Sequence, residues 1–296
     1  MEAETAVMLS ASTVGDGFPV PQNAPAIPGR MTRPLQSDCR KCFPMNHIEK
    51  QYQTSRNLNT RISIHEKYST NQQPFGDWIM SHYDIPAGAK VLELGCGTGD
   101  MWQNNLHLLK GGTELILTDF SAGMLETAKR NVVSEQITFQ QVDIQNIPYD
   151  DGTFDVVIAN MMLYHVPNLH KGLSEVRRVL KQGGRFYCAT YGIHGIMEYV
   201  TDLLKGMDVT GSIGTTFTLQ NGKDILSRYF ENVQRLDRED GLAITNIADF
   251  ADYIYSLSGL TNIANVPRNI LLSALENRID NGILYVPKEY GMFSCQ

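Results

Sequence analysis

Five short strand-like runs stand out in the middle of the chain, at 91–94, 114–118, 137–142, 154–159 and 185–191, the third and fifth with polar residues among the apolar ones. Runs of this length, rich in Val, Ile, Leu and Phe, are those of parallel strands covered on both faces. The stretches between them carry apolar residues at helical spacing. Met124, Leu125 and Ala128 follow Ser121, a residue type that caps helices. Leu169, Leu173, Val176 and Leu180 mark one face of a second helix, which Gln182, Gly183 and Gly184 are expected to end. Strands alternating with single helices predict an α/β chain with a doubly wound, mostly parallel sheet and right-handed crossovers.

On either side the pattern is less regular. Residues 1–44 hold six of the twelve prolines and no sustained period, which reads as a disordered leader. Residues 45–296 read as one folded domain whose first part, 45–85, is a helical cover. Asn71 and Pro74 supply its start signals before Phe75, Trp78, Ile79 and Tyr83. Residues 192–220 carry helical spacing at Ile196, Tyr199, Val200 and Leu203, then a stretch rich in Gly, Ser and Thr, and read as a lid-like insertion. Further helices are expected at 221–230, 247–257 and 268–279, with a short strand at 233–236. A last strand at 283–286, entered through Asn281 and Gly282, is expected to run antiparallel to the strand before it.

Charge and cysteine usage narrow the setting. The net charge is −7, and in the leader Glu2, Glu4, Asp16 and Asp38 balance Arg30, Arg33, Arg40 and Lys41, so the folded part is acidic. Nucleic-acid partners require a basic footprint, and none is expected. No apolar run approaches the roughly 18–20 residues of a membrane span. The acidic start at Glu2 and Glu4 lacks the basic region of a secretory signal, so a cytoplasmic location is expected. The five cysteines, at 39, 42, 96, 188 and 295, are odd in number and scattered, as in a reducing compartment. Cys39 and Cys42 have no second ligand pair, and no metal site is expected.

The chemistry is expected where the first strand stops. Val91, Leu92 and Leu94 run into Gly95, Gly97 and Gly99 on alternate positions, a turn in which backbone approaches a ligand. Dinucleotide sites use G-x-G-x-x-G, so the tighter spacing weakens a nicotinamide-dependent oxidoreductase. The segment Glu93-Leu94-Gly95-Cys96-Gly97-Thr98-Gly99 resembles the first motif of the class I S-adenosylmethionine-dependent methyltransferases. The resemblance covers roughly residues 65–293 and extends to the small-molecule branch that includes the ubiquinone/menaquinone-type C-methyltransferases. It implies a seven-stranded sheet with an antiparallel last strand, S-adenosyl-L-methionine as cofactor, and a small-molecule methyl acceptor.

Ligands of such a sheet bind beyond the carboxyl ends of the strands. Asp119 ends the second strand at a spacing suited to a ribose diol, and by resemblance it is the ribose-binding acid; the alternative is a helix-capping aspartate. Phe120 either covers the adenine or belongs to the core. The resemblance places Asp143 on the adenine amine, with the backbone of Ile144 beside it, although aspartates are also common in turns. It places Asn160 and Met161 under the methionyl part of the cofactor, and adds Glu93, Cys96 and Met124 to the contacts. Tyr68 resembles the tyrosine that folds over the cofactor's carboxylate end.

Methyl transfer is an in-line displacement at an activated carbon, so a base is needed only when the acceptor must lose a proton. His165 is the candidate, with a structural histidine as the alternative. Tyr191 and the helix after it are candidates for the acceptor pocket. The segment 160–165 is not the N-P-P-Y or D-P-P-Y of enzymes that methylate base amino groups or glutamine, which counts against an RNA or protein substrate. A non-catalytic S-adenosylmethionine-binding protein would carry the same cofactor motifs.

Overall fold

A computed structural model describes residues 55–207, 216–257 and 262–296. The leader expected at 1–44 and the centre of the lid-like insertion, 208–215, lie outside the described residues. The strands are β1 (Lys90–Leu94), β2 (Glu114–Asp119), β3 (Ile137–Gln141), β4 (Phe154–Ile158), β5 (Leu180–Tyr191), β6 (Val233–Ile244) and β7 (Leu284–Cys295). They form one seven-stranded sheet in the order β3-β2-β1-β4-β5-β7-β6. The pairs among β1 to β5 are parallel, and β7 runs antiparallel to both of its neighbours, as expected. The strand order reverses between β1 and β4, which puts the binding crevice at their carboxyl ends.

The apolar runs are continuous because successive side chains enter different cores. Val91, Leu115, Val156 and Tyr187 pack with Ile79, Trp102 and Leu109 on one face. Leu92, Ile116, Val157 and Phe186 pack with Leu173, Val176 and Val179 on the other. After α1 (Ser55–Tyr68), the helices that cover these faces include α2 (Phe75–Met80), α3 (Asp100–Gln103), α4 (Ala122–Asn131) and α5 (Leu169–Val179). Beyond β5 come α6 (Ile196–Leu203), α7 (Gly222–Leu226), α8 (Ile247–Ser256) and α9 (Arg268–Glu276).

Two expectations are corrected. The glycines after α5 do not end it: Leu180 is already extended, and Gln182, Gly183 and Gly184 lie within β5. There the register slips between Phe154↔Leu180 and Val156↔Arg185, so the extra residues bulge out of the ladder. Gly184 is required by packing, since a Cβ would meet Leu180 Cγ at 2.9 Å and the Asp155 carbonyl at 3.0 Å.

The last two strands are also far longer than the expected 233–236 and 283–286. They pair from Val233↔Cys295 to Ile244↔Leu284. β5 stops pairing with β7 at Tyr191↔Tyr290, but β6 and β7 continue from Glu239↔Glu289 to Ile244↔Leu284. That extension rises roughly 20 Å, at about 3.4 Å per residue, beyond the carboxyl edge of the parallel strands. It is held by a third core in which Ile64 of α1, Val200 of α6, Phe250 of α8 and Leu271 of α9 pack on Leu242 and Leu284. In the expected insertion, α6 buries Ile196, Val200 and Leu203, and Phe217 and Leu219 are buried as well. Among the described residues no helix is long and apolar enough to cross a membrane.

Candidate functional site

β1 delivers the chain into a loop whose three glycines all have left-handed backbone: φ is 72° at Gly95, 58° at Gly97 and 75° at Gly99. Each has a different surrounding. A Cβ on Gly95 would meet Met162 Cγ at 2.9 Å, and one on Gly99 would meet Val132 Cγ2 at 2.9 Å, so these two are needed for packing. A Cβ on Gly97 would meet nothing within 4 Å. Gly97 therefore presents bare backbone to open space, the arrangement a bound ligand requires. The helix that follows is a single turn, α3, so most of the binding surface is loop backbone rather than a helix terminus.

The loop is braced from both sides. The Cys96 N–H donates to the Thr118 carbonyl at 2.8 Å, and the Gly97 N–H donates to Asp119 Oδ2 at 3.0 Å. Asn131 Nδ2 donates to the Thr98 carbonyl at 3.0 Å and to Asp100 Oδ1 at 2.9 Å. Asp119 Oδ1 also accepts the Ser121 N–H at 2.8 Å. A carboxylate has about four lone-pair directions, so two remain for a ligand diol. Burial raises the Asp119 carboxyl, and the backbone N–H groups of Ser121 and Gly97 oppose that rise. Helix capping at α4 belongs to Ser121, whose side chain accepts from the Met124 N–H. Phe120 is 51% exposed, which removes the core alternative for it. Met124 and Cys96 are half-buried nearby, and burial pushes the Cys96 thiol up.

Asp143 follows β3, adjacent to β2. Its Oδ1 accepts the Gln145 N–H at 2.8 Å, the aspartate turn that the sequence left open, and Gln145 Nε2 bonds both oxygens at 3.2 and 3.3 Å. Ile144 is buried behind it.

Two residues expected at the cofactor are tied inward. Glu93 accepts the indole N–H of Trp102, and burial pushes its carboxyl up to about 7 while the indole bond pulls the other way. Asn160 donates to the Tyr83 hydroxyl at 2.5 Å and accepts the Ala189 N–H at 3.2 Å, joining β4 to β5. Met161, next to it, has φ 52°, a strained conformation for a residue with a side chain. Sequence reasoning missed Trp102, Tyr83 and Met162, whose roles depend on contacts far along the chain.

His165 lies on a 3-10 turn, Leu163–His165, its ring 4.4 Å from that of Tyr164, which in turn lies 4.6 Å from Tyr191. Burial lowers its imidazole, favouring the neutral form. The Tyr68 hydroxyl donates to Asp249 Oδ2 at 2.8 Å, and its neighbour Ser69 pairs with Leu242 of β6.

Comparison with known proteins agrees with this geometry. Residues 92–188, from β1 to β5, match the family described as "Methyltransferase domain". Over those residues the chain is similar to methyltransferase domains. A demethylmenaquinone methyltransferase of Symbiobacterium thermophilum is 33% identical over 152 residues, 47% of this chain and 60% of that protein. A ubiquinone/menaquinone biosynthesis C-methyltransferase of Desulfotalea psychrophila is 30% identical over 159 residues, 52% of this chain and 63% of that protein. The chain thus spans about three fifths of the length of these two relatives. Among solved structures, phosphoethanolamine N-methyltransferase 2 of Haemonchus contortus, in complex with phosphomonomethylethanolamine and S-adenosylhomocysteine, superposes with a TM-score of 0.54 at 16% identity. That likeness covers 84% of this chain and 59% of the other, and it shows the methyltransferase fold.

Proposed function

We propose that this chain is an S-adenosyl-L-methionine-dependent methyltransferase acting on a small molecule. The observation that carries the reading is the pair Gly97 and Asp119: bare loop backbone facing open space, beside a strand-end carboxylate with lone pairs to spare. Asp119 would hold the ribose diol, Phe120 would cover a face of the adenine, and the Asp143–Ile144 corner would receive its polar edge. Cys96, Met124 and Met161 line the same edge of the sheet, and the inward-tied Glu93 and Asn160 keep its floor rigid. The bound cofactor would supply an electrophilic methyl group on a sulfonium. The chain's own part is alignment, exclusion of water and, where the acceptor must lose a proton, a neutral imidazole at His165.

The small-molecule assignment draws on the names of the sequence relatives and on the acidic chain, which disfavours nucleic acid. We place the protein in the cytoplasm, in keeping with the free thiols of Cys96, Cys188 and Cys295. Calorimetric titration with S-adenosylhomocysteine and, separately, with NAD(H) tests the reading. Micromolar binding of S-adenosylhomocysteine alone is expected, whereas binding of NAD(H) alone, or of neither, would overturn it.

A further inference from the structure

The corner that follows β4 is built around a strained residue. Among the described residues only Met161 and Asn281 have a left-handed backbone without being glycine, at φ 52° and 50°. Asn281 lies in the turn before β7, and asparagine adopts that conformation readily. Met161 does not, and such a backbone persists only where its surroundings over-determine it.

Those surroundings reach back to the helical cover. The Met161 N–H donates to the Ala189 carbonyl at 2.8 Å, and the Ala189 N–H donates to Asn160 Oδ1 at 3.2 Å. A side-chain oxygen thus stands where the ladder between β4 and β5 would continue with a backbone carbonyl, and the main chain is free to turn away at Met161. Asn160 is fixed in turn through Nδ2, which donates to the Tyr83 hydroxyl at 2.5 Å, while the Tyr83 ring lies 4.9 Å from that of Tyr187 on β5. The other neighbour of that Nδ2 is Met101 Sδ at 4.0 Å, a weak acceptor. Beyond the strained residue, Met162 fills the space that a Cβ on Gly95 would need, with Cγ at 2.9 Å and Cβ at 3.0 Å. Its carbonyl accepts the His165 N–H at 2.9 Å. The left-handed turn at Met161 therefore sets both the packing against the glycine loop and the start of the turn that carries His165.

We infer that Tyr83 is a positioning residue for the cofactor site. Through Asn160 it holds Met161 in the strained turn, and the turn holds Met162 against Gly95. The inference rests on the methyltransferase reading above and adds a residue of the helical cover to that same site.

The test is calorimetric titration of S-adenosylhomocysteine into the full chain and into Tyr83→Phe, each with Met161 unaltered and with Met161→Gly. Tyr83→Phe keeps the ring beside Tyr187 and leaves Asn160 Nδ2 without an oxygen acceptor, so binding should weaken at least about fivefold. Glycine adopts a left-handed backbone without strain and needs no anchor, so in the Met161→Gly background the same change should cost less than about twofold. A purely structural Tyr83 would instead lower the urea midpoint and act equally on affinity in both backgrounds. Equal losses in the two backgrounds, or a loss below about twofold in Tyr83→Phe alone, would overturn the inference. Should Tyr83→Phe fail to fold, Met161→Val takes its place: a β-branched side chain makes the turn costlier, so binding should weaken, and unweakened binding counts against the inference. Failure of the unaltered chain to bind S-adenosylhomocysteine would sink the cofactor reading alone, because the strain is also read without ligand. Met161→Gly should unfold at higher urea than Met161→Val, and the reverse order would overturn the strained turn itself.

Discussion

Asp119 Oδ2 accepts the backbone N–H of Gly97 at 3.0 Å, so the acid that ends β2 is also the brace of the loop that leaves β1. The two duties separate by substitution. Asp119→Asn keeps a side-chain oxygen for one backbone N–H, whereas Asp119→Ala keeps none. Asp119→Ala should weaken S-adenosylhomocysteine binding by about 1–3 kcal/mol, the scale of a lost charged hydrogen bond, and lower the urea midpoint as well. Asp119→Asn should lose affinity with a smaller loss of stability. Unchanged affinity in both variants would remove Asp119 from the site.

The three loop glycines should respond differently to alanine. All three need a left-handed backbone, which costs a residue with a Cβ about 1–2 kcal/mol. Gly99→Ala adds a collision with Val132 Cγ2 at 2.9 Å and Ala128 Cβ at 3.3 Å, so it should unfold at clearly lower urea than Gly97→Ala. Gly97→Ala meets no atom within 4 Å and should lose mainly cofactor affinity. Urea melts paired with calorimetry on both variants check the contrast, which fails if Gly97→Ala binds S-adenosylhomocysteine as the unaltered chain does.

These contrasts follow the line between what local pattern reveals and what it hides. β1, β2 and β4 were legible because strands buried on both faces are written as apolar runs, β3 and β5 from their place in the strand–helix alternation, and the glycine loop because its alternation with Cys96 and Thr98 is unusual. Most of β6 and β7 was not, because Arg238, Asp240 and Lys288 occupy inward positions and read as solvated charge until their partners across the ladder are known. Gly183 and Gly184 misled for a related reason: a glycine pair after helical spacing looks like a helix end, and only the slipped register with β4 shows the bulge. At the candidate site, the strand-end placement of Asp119 and Phe120 was legible from position. The inward ties of Glu93 to Trp102 and of Asn160 to Tyr83 are tertiary facts with no signature in the local sequence.

Glu93 gives a stability profile with a definite sign. Burial lifts its carboxyl from 4.5 in the unfolded chain to about 7, so between these values the folded state binds more protons than the unfolded one. Stability must therefore fall as pH rises through that window, by about 3 kcal/mol for this group alone. Glu93→Gln keeps an oxygen for the Trp102 indole N–H and has no charge to bury. Urea titrations from pH 4.5 to pH 8 should show the variant gaining on the unaltered chain as pH rises, and parallel profiles would refute the assignment.

Asp240 should show the opposite sign and the larger penalty. Its carboxyl, wholly buried, is held well below the usual carboxylate range: burial itself opposes this, but hydrogen bonds from Lys288, the Asn71 backbone and Arg238 outweigh it. A depressed carboxyl contributes stability that is present above its unfolded value of 3.8 and is lost as pH falls toward its native value. Asp240→Asn leaves two cations facing each other without a counter-charge and should cost about 3–5 kcal/mol at neutral pH, with the deficit narrowing in acid. Adding Lys288→Met to Asp240→Asn removes one of those cations, so the double variant should be more stable than Asp240→Asn alone. A double-mutant cycle from urea melts measures this coupling directly. Additive losses would mean that Lys288 and Asp240 do not share the pair drawn here.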